Sequence, residues 1–427
     1  MTVVIFLGVL LLAMAIGIPI AYALMVSGIA LMLQQDLFDA QILAQNIVNG
    51  ADSFPLLAVP LFMLAGEIMA VGGLSRRIVN LAMALVGHKR GGLGYVAVLA
   101  ACLMAALSGS AVADAAALTA MLLPMMVRAG HDPAKAGGLI ASASVIAPVL
   151  PPSIGFIIFG VAANVSISKL FLAGIVPGLL MGAVIAIVWG WVSRRENIEP
   201  PPKASWEERR RAIKESGWAL FLPLIVLVGL KFGVFTPTEA AAVAAMYSFF
   251  VAAFVYRELK VKQLVAVFAQ AAKTTSVVMF LIAAAMVSAW LITTAGIPAQ
   301  ITEMVQPLVD SPTLLLLAIM LLIIAIGTAM DMAPTILILT PVLMPVIKAA
   351  GIDPVYFGVL FIMNNAIGLV TPPVGTVLNV VAGVGRMSLD KITRGVFPFM
   401  LAQFALMFLL VLCPWIVTVP ARWLSGG

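Results

Sequence analysis

Long apolar runs separated by short polar loops make up most of this chain. A helix needs about 20 apolar residues to cross the hydrocarbon core of a bilayer, and most of the runs approach or exceed that length. The pattern predicts an all-α integral membrane protein. The runs cover residues 3–33, 54–71, 92–127, 137–163, 170–192, 218–234, 237–255, 274–294, 314–347, 355–384 and 396–419.

Composition supports the same class for the whole chain. Of its 427 residues, 63% are hydrophobic and 10% are charged, and the mean hydropathy is +1.16. A soluble domain cannot bury that much apolar surface. Cys102 and Cys413 lie in separate apolar runs without metal-ligand spacing, so the cysteines predict neither a disulfide framework nor a metal centre.

The formal net charge of +6 comes from Lys and Arg in short loops. Basic loops stay in the cytoplasm, so this charge predicts topology rather than binding to nucleic acid. His88 and His131 lie in these loops and are expected to be solvated, and residues 193–216 are expected to form an amphipathic surface helix. The basic loops are residues 76–90, 128–135, 194–214, 257–262 and 386–394.

An internal repeat relates the two halves of the chain at an offset of 221 residues. Run 92–127 is interrupted by "LSGSAVAD" and has basic residues on both sides, so it is predicted to enter the membrane and return as a re-entrant hairpin. Counting crossings onward, run 314–347 is a second hairpin that starts outside. The halves are therefore predicted to be an inverted repeat, as in many secondary transporters. The matches include Asp132, Pro133, Pro151 and Pro152 against Asp353, Pro354, Pro372 and Pro373.

Each copy of the repeat has a double proline that breaks an apolar helix, in "IAPVLPPS" and "IGLVTPPVG". Irregular backbone at membrane depth is tolerated only inside protein or beside a wet cavity, so both breaks are candidate cation sites. Each break needs a partner from a hairpin tip. Ser108 and Ser110 in "LSGS" offer hydroxyls, although small residues also serve close helix packing. Asp331 in "TAMD" offers a carboxylate, although it could also simply cap a helix.

Other polar residues in apolar runs leave alternatives open. Glu67 and Asp114 lie near a run end or a hairpin tip, where each could be functional, solvated or paired with a neighbouring charge. Asn364, Asn365 and Asn379 flank the second break and could bind a polar substrate.

The motifs "SFPLLAVPLFMLAGEIM", "LSGSAVADAAA", "LPPSIGFIIFG" and "NNAIGLVTPPVGTVLNV" resemble the large membrane subunit of tripartite ATP-independent periplasmic (TRAP) transporters, over essentially the whole chain. Among these, the chain is most similar to permeases for diketogulonate and related sugar acids. The resemblance implies an elevator-type secondary transporter with two re-entrant hairpins and two proline-broken helices. It implies uptake of an organic acid driven by Na⁺.

The resemblance also implies partners and a location. The partners would be a separate small membrane subunit of about four helices and a periplasmic substrate-binding protein, with membrane lipid around them and no nucleic acid. The chain would lie in the bacterial inner membrane with a cytoplasmic N-terminus and a periplasmic C-terminus. Its parts would be 1–91 (scaffold helices and arm), 92–192 (first repeat: hairpin, broken helix, scaffold helix), 193–312 (amphipathic linker, scaffold helices and arm) and 313–427 (second repeat).

Site residues carried over from the resemblance fall into three groups, with Na⁺ as the coupling ion and no other metal or cofactor. The first Na⁺ site would use Ser108, Ser110, Ala147, Leu150 and Pro152; the second would use Asp331, Gly368, Thr371 and Pro373; and the substrate would lie near Pro151, Ser153, Asn364 and Thr376.

Other functional classes fit the sequence less well. The chain contains no Gly-Lys pair and hence no phosphate-binding GxxxxGK[ST] loop, which argues against an ATP-driven pump. Both histidines are in loops, and Asp114 and Asp331 belong to oppositely oriented hairpins, so an intramembrane enzyme is disfavoured. A stand-alone ion-coupled organic anion transporter of similar fold, which needs no binding protein, is the alternative.

Overall fold

The structure is a computed structural model that describes residues 2–194, 196, 198, 200, 202–328 and 330–426. These residues form helices joined by short loops, with no β-strand among them, which confirms the all-α prediction. Within this described part, eight helices are long and apolar enough to cross a membrane: Phe54–Val71, Ala111–Arg128, Ile167–Ser193, Trp206–Lys231, Pro237–Val255, Val261–Thr294, Met332–Ala349 and Leu389–Leu412.

The N-terminal part begins with two short helices where the sequence predicts one long run. Gly17 has a φ of +87°, and the following Pro19 has no backbone N–H, so the helix cannot continue across residues 16–19. The two helices pack against each other. This part consists of α1 (Thr2–Ala15), α2 (Ile20–Gln34), α3 (Ala40–Ala51), a 3₁₀ turn (Phe54–Leu57), α4 (Ala58–Val71) and α5 (Leu74–Val86).

The next part contains the first hairpin and the first broken helix. Ser110, Asp132 and Ser153 begin its helices, and the side chain of each accepts a hydrogen bond from a backbone N–H of the first turn. The helices are α6 (Gly92–Ser108), α7 (Ala111–Arg128), α8 (Pro133–Ser144), α9 (Ile154–Ala163) and α10 (Ile167–Ser193).

The polar segment after α10 does not form a separate surface helix. The predicted surface helix and the run that follows it are one continuous helix, which begins at a capping box formed by Ser205 and Glu208. Arg195, one of the predicted basic residues, lies outside the described residues. The helices here are α11 (Trp206–Lys231), α12 (Pro237–Phe250), a π-helical turn (Val251–Val255), α13 (Val261–Thr294), α14 (Ile297–Met304) and α15 (Gln306–Val309).

The C-terminal part repeats the construction of α6 to α10. Shifting α7 by 221 residues reproduces both ends of α17, and the other helices of the two copies start within one residue of the same offset. Asp353 begins α18 as Asp132 begins α8, each followed by a proline. The helices are α16 (Pro312–Gly327), α17 (Met332–Ala349), α18 (Pro354–Gly368), α19 (Thr376–Gly385), α20 (Leu389–Leu412) and the additional α21 (Trp415–Ser425).

The two copies pack against each other reciprocally. Helix α7 contacts α19 while α17 contacts α9, and α8 contacts α20 while α18 contacts α10. Each of these contacts thus has a counterpart with the roles exchanged, which is the pattern produced by a two-fold relation. The copies therefore form one pseudo-symmetric unit.

The broken helices α8 and α18 lie at the centre of this unit. Every residue of α8 from Ala136 to Ser144 and of α18 from Tyr356 to Gly368 is buried. The breaks that follow them are therefore surrounded by protein, which supplies partners for irregular backbone that lipid could not.

The prediction from the sequence that His131 is solvated is wrong, because the residue is buried. It is 4% exposed, its Nδ1 lies 2.7 Å from Oε2 of Glu196, and its ring lies against Trp189 with the ring centroids 5.3 Å apart. The loop between α7 and α8 is thus held by the chain that follows α10.

Close contact between α8 and α20 makes Gly138 intolerant of a side chain. A Cβ at Gly138 would overlap the backbone of Gly395, whereas a Cβ at the neighbouring Gly137 would be 3.5 Å from Ile392, an ordinary contact. We expect Gly138→Ala to lower the free energy of unfolding by about 1–3 kcal/mol through overpacking. Gly137→Ala should be neutral or stabilising, because Ala favours a helix by about 1 kcal/mol over Gly. Thermal melts of the detergent-purified Gly138→Ala and Gly137→Ala variants test this. Equal changes in melting temperature would contradict the close contact at Gly138.

Candidate functional site

The tip of the first hairpin rests directly on the first break. Helix α6 ends at Ser108, Gly109 turns the chain with a φ of +60°, and Ser110 begins α7. A Cβ at Gly109 would lie 2.5 Å from the carbonyl oxygen of Pro152. The tip can therefore approach the break this closely only because it has no side chain at this position.

A buried carboxylate supports this tip from within α7. Asp114 is 1% exposed, and its Oδ1 accepts a hydrogen bond of 2.6 Å from the hydroxyl of Ser108. The Ser108 oxygen in turn accepts a hydrogen bond from the backbone N–H of Ser110. Asp114 is thus neither solvated nor paired with a basic residue, and its second oxygen, Oδ2, has no hydrogen-bond partner within the described structure.

The first break leaves several backbone carbonyl oxygens without the hydrogen bonds that a continuous helix would provide. Turn hydrogen bonds from the N–H groups of residues 146, 147, 149 and 150 hold the chain after α8, and the Ser153 hydroxyl donates to the Pro148 carbonyl. The carbonyl oxygens of Ala147, Leu150 and Pro152 accept no hydrogen bond from any described residue. These three predicted ligands are therefore available to a hard cation.

The second tip contacts the second break in the corresponding way. The backbone N–H of Val374 donates to the carbonyl of Thr328 over 3.3 Å. On the other side of the tip, a Cβ at Gly368 would be 3.1 Å from the carbonyl oxygen of Gly327. Within the "TAMD" tip, Ala329 lies outside the described residues. Both predicted pairs of tip and break are thus brought together.

The second tip carries a carboxylate at the start of α17. Asp331 is exposed, and its Oδ1 accepts a hydrogen bond of 2.8 Å from the N–H of Met332. Asp331 therefore caps α17, as the alternative interpretation of this residue as a helix cap predicts. Ser110 occupies the same position in the first repeat and caps α7. Thr371 donates its hydroxyl to the Ile367 carbonyl, and the Gly368 carbonyl accepts the Thr371 N–H. The carbonyl oxygens of Thr371 and Pro373 accept no hydrogen bond from a described residue.

The four residues predicted to bind substrate lie at the two breaks, in α18 and at the start of α19. Pro151 and Ser153 lie in and after the first break, and Thr376 follows the second, where its hydroxyl is buried without a hydrogen-bond partner among described residues. Asn364 is 1% exposed and donates from Nδ2 to the Met320 carbonyl of α16 over 2.8 Å.

A cavity of about 320 Å³ lies beside the first tip, between α4, α6, α7 and α13. Its described lining contains no Lys, Arg or His, and its polar groups are Glu67, Ser75, Ser108, Ser110, Asp114, Gln270 and Thr274. A cavity of this size accommodates a small organic molecule. Gln270 lies before the predicted run, which begins only at residue 274, whereas α13 begins at Val261.

Comparisons with known proteins point to one family. The profile described as "Tripartite ATP-independent periplasmic transporter, DctM component" matches residues 7–416. The 2,3-diketo-L-gulonate TRAP transporter large permease protein YiaN of Escherichia coli (strain K12) is 57% identical, and the alignment covers 100% of both chains. The sialic acid TRAP transporter large permease protein SiaM of Vibrio cholerae is 36% identical, with 96% of each covered.

A solved structure shares the fold. The YdaH transporter of Alcanivorax borkumensis superimposes with a TM-score of 0.63, covering 89% of this chain and 90% of that one. Its sequence is 18% identical, so the likeness concerns the fold alone.

The contact between Gly109 and Pro152 predicts a specific sensitivity at the first tip. Gly109→Ala should lower the melting temperature in KCl, because it combines a strained positive φ with a clash against the break. Gly351→Ala is the matched control: its φ is +66°, but a Cβ there would meet nothing within 4 Å. In the control, the strain of an Ala at positive φ should lower the free energy of unfolding by only about 1 kcal/mol. Gly109→Ala should lower it by clearly more. Equal decreases in melting temperature for the two variants would show that Gly109 is not in close contact with the break.

Proposed function

We propose that this chain, which belongs to the DctM component family of tripartite ATP-independent periplasmic transporters, is the large membrane subunit of an importer that takes up a sugar acid together with Na⁺. Its relatives are transport permeases, so the chain is a transporter subunit and not an enzyme. The 57% identity to a 2,3-diketo-L-gulonate permease supports a sugar acid of that class as the substrate.

The observation that carries the proposal is that each hairpin tip sits on the break of its own repeat. The first break has free carbonyls at Ala147, Leu150 and Pro152, of which that of Pro152 meets a tip with hydroxyl and backbone oxygens. The second break has free carbonyls at Thr371 and Pro373 and meets a tip with the Asp331 carboxylate. Oxygen ligands of this kind suit Na⁺ and not a soft metal. Half-helices that point their ends at such a site are the construction by which transporters bind coupling ions.

We place the hydroxyl-bearing part of the substrate in the cavity beside the first tip, whose described lining includes Glu67 and Asp114. Because no basic side chain lines the described cavity, the substrate carboxylate would be held by half-helix N-termini, which carry partial positive charge. The amide of Gln270 and the hydroxyl of Thr274 are suited to hydrogen bonds with sugar hydroxyls.

We infer an elevator motion of inverted repeats, which the packing and the loop charges support. The contacts of α7 with α19 and of α17 with α9 join the hairpins to the broken helices across the repeats, and we propose that this unit moves as a body against the remaining helices. Arg90 and Arg128 flank the first hairpin, whereas Asp310 and Asp353 flank the second beside a single Lys348. By the positive-inside rule the first hairpin enters from the cytoplasm and the second from the periplasm.

The family implies two partner classes, and we place the assembly in the bacterial inner membrane. A small membrane subunit would pack on this chain, and a periplasmic binding protein would deliver the substrate. The C-terminus would lie in the periplasm.

Uptake into proteoliposomes tests the proposed function. With the small subunit and the binding protein present, an inward Na⁺ gradient should drive accumulation of labelled 2,3-diketo-L-gulonate, and a K⁺ gradient should not. Asp331→Asn should weaken uptake at limiting Na⁺ at least about tenfold, because bonds to an ionised ligand contribute about 1.5–3 kcal/mol. Asn can still cap α17.

Asp39→Asn is the matched control for this assay. Asp39 is also an exposed aspartate at a helix start, accepting from the N–H of Gln41 over 2.7 Å, but on α3, outside the repeats. Its uptake should equal that of the wild type. Na⁺-driven uptake that persists without the binding protein would favour the stand-alone transporter, and uptake indifferent to Na⁺ would contradict the proposal.

A further inference from the structure

The last helix, α21, has an apolar stripe and a polar stripe side by side. Trp415, Val419 and Trp423, each four residues apart, are 64%, 59% and 75% exposed. In a membrane protein, an exposed apolar stripe with tryptophans at both ends lies in the bilayer at its interface. The adjoining stripe consists of Thr418, Arg422 and Ser425, so these polar groups stand at the level of the lipid headgroups.

This polar stripe lines a small basic cavity between α10, α18 and α21. The cavity has a volume of about 180 Å³, and Lys169 and Arg422 contribute its basic groups. Both side chains are exposed, and neither forms an ion pair with a described residue. The basic groups are thus free to bind an anion.

The remaining polar groups of the cavity are already engaged in the fold. The Oδ1 of Asp353 accepts the N–H of Tyr356 over 2.8 Å, and the Tyr356 hydroxyl donates to the Leu410 carbonyl over 2.8 Å. Counting Lys169, Arg422 and Asp353, the lining has one net positive charge. This charge matches the single negative charge of a phosphodiester.

Helix α21 is fixed on two sides, so the cavity is a formed part of the fold. Val417 is 1% exposed, and α21 packs along α10. Beyond this contact, Lys231 at the end of α11 places its Nζ 4.9 Å from the centroid of the Trp423 ring, a cation–π distance.

We propose that this cavity binds the phosphodiester headgroup of an anionic phospholipid from the leaflet in which α21 lies. Arg422 can hold the phosphate oxygens through two parallel hydrogen bonds, and Lys169 adds a second charge. The exposed stripe of Trp415, Val419 and Trp423 offers a surface for the acyl chains. A free phosphate would use only the basic groups and leave this stripe without a ligand.

Native mass spectrometry of the detergent-purified chain with added phosphatidylglycerol tests the proposal, with phosphatidylcholine as the zwitterionic comparison. We expect one phosphatidylglycerol to bind in preference to phosphatidylcholine. The double variant Lys169→Gln/Arg422→Gln should bind it about 30-fold more weakly, since each basic group near a lipid surface contributes on the order of a factor of five. Lys348→Gln, at an exposed lysine that does not line the cavity, should bind like the wild type.

Further outcomes separate the possible ligands. Arg422→Lys, which keeps the charge but not the two parallel hydrogen bonds, should bind more weakly than the wild type and more tightly than Arg422→Gln, a ranking that a folding defect would not produce. Equal binding of the two lipids, or an equal loss in the Lys348→Gln control, would overturn the proposal. Displacement of the lipid by millimolar glycerol phosphate would assign the cavity to a soluble phosphate ester and overturn the lipid assignment.

Discussion

Backbone groups that leave a helix inside an apolar protein need partners, and this requirement organises the molecule. The chain breaks after α8 and again after α18, the two most completely buried helices of the repeats. Each break is closed by the tip of the hairpin that precedes it, through Gly109 against Pro152 and through Thr328 against Val374. The burial of the central helices and the glycine at the first tip both follow from this closure.

The same construction occurs twice with different chemistry. At the first tip Ser110 caps the helix, and the carboxylate is supplied by the buried Asp114 through Ser108. At the second tip the cap itself is a carboxylate, Asp331, and the position matching Asp114 is Thr335, which donates to the Asp331 carbonyl. Each repeat thus brings one carboxylate to its tip by a different route, so the two cation sites we propose need not bind with equal strength.

Sequence alone predicts the features that local chemistry determines. The double prolines, the Asp-Pro helix starts and the 221-residue offset locate the breaks and the repeat, because prolines and caps act within a few residues. The sequence does not predict the features that depend on tertiary contacts. Hydropathy could not show that residues 3–33 turn at Gly17, that Asp114 bonds to Ser108, or that His131 is buried against Trp189. Gln270 reaches the cavity only because α13 extends beyond its apolar run.

The claim that a cation binds where tip meets break is tested most directly by the melting temperature of the purified chain in NaCl and in KCl at equal ionic strength. At ten times its dissociation constant, Na⁺ should stabilise the fold by about 1.4 kcal/mol per site. We expect a shift in melting temperature that is specific to Na⁺ and that shrinks in Ser110→Ala but not in Ser166→Ala, a helix-capping serine outside both tips that also accepts a backbone N–H over 3.4 Å. Equal melting temperatures in the two salts, or equal shifts in the two variants, would contradict it.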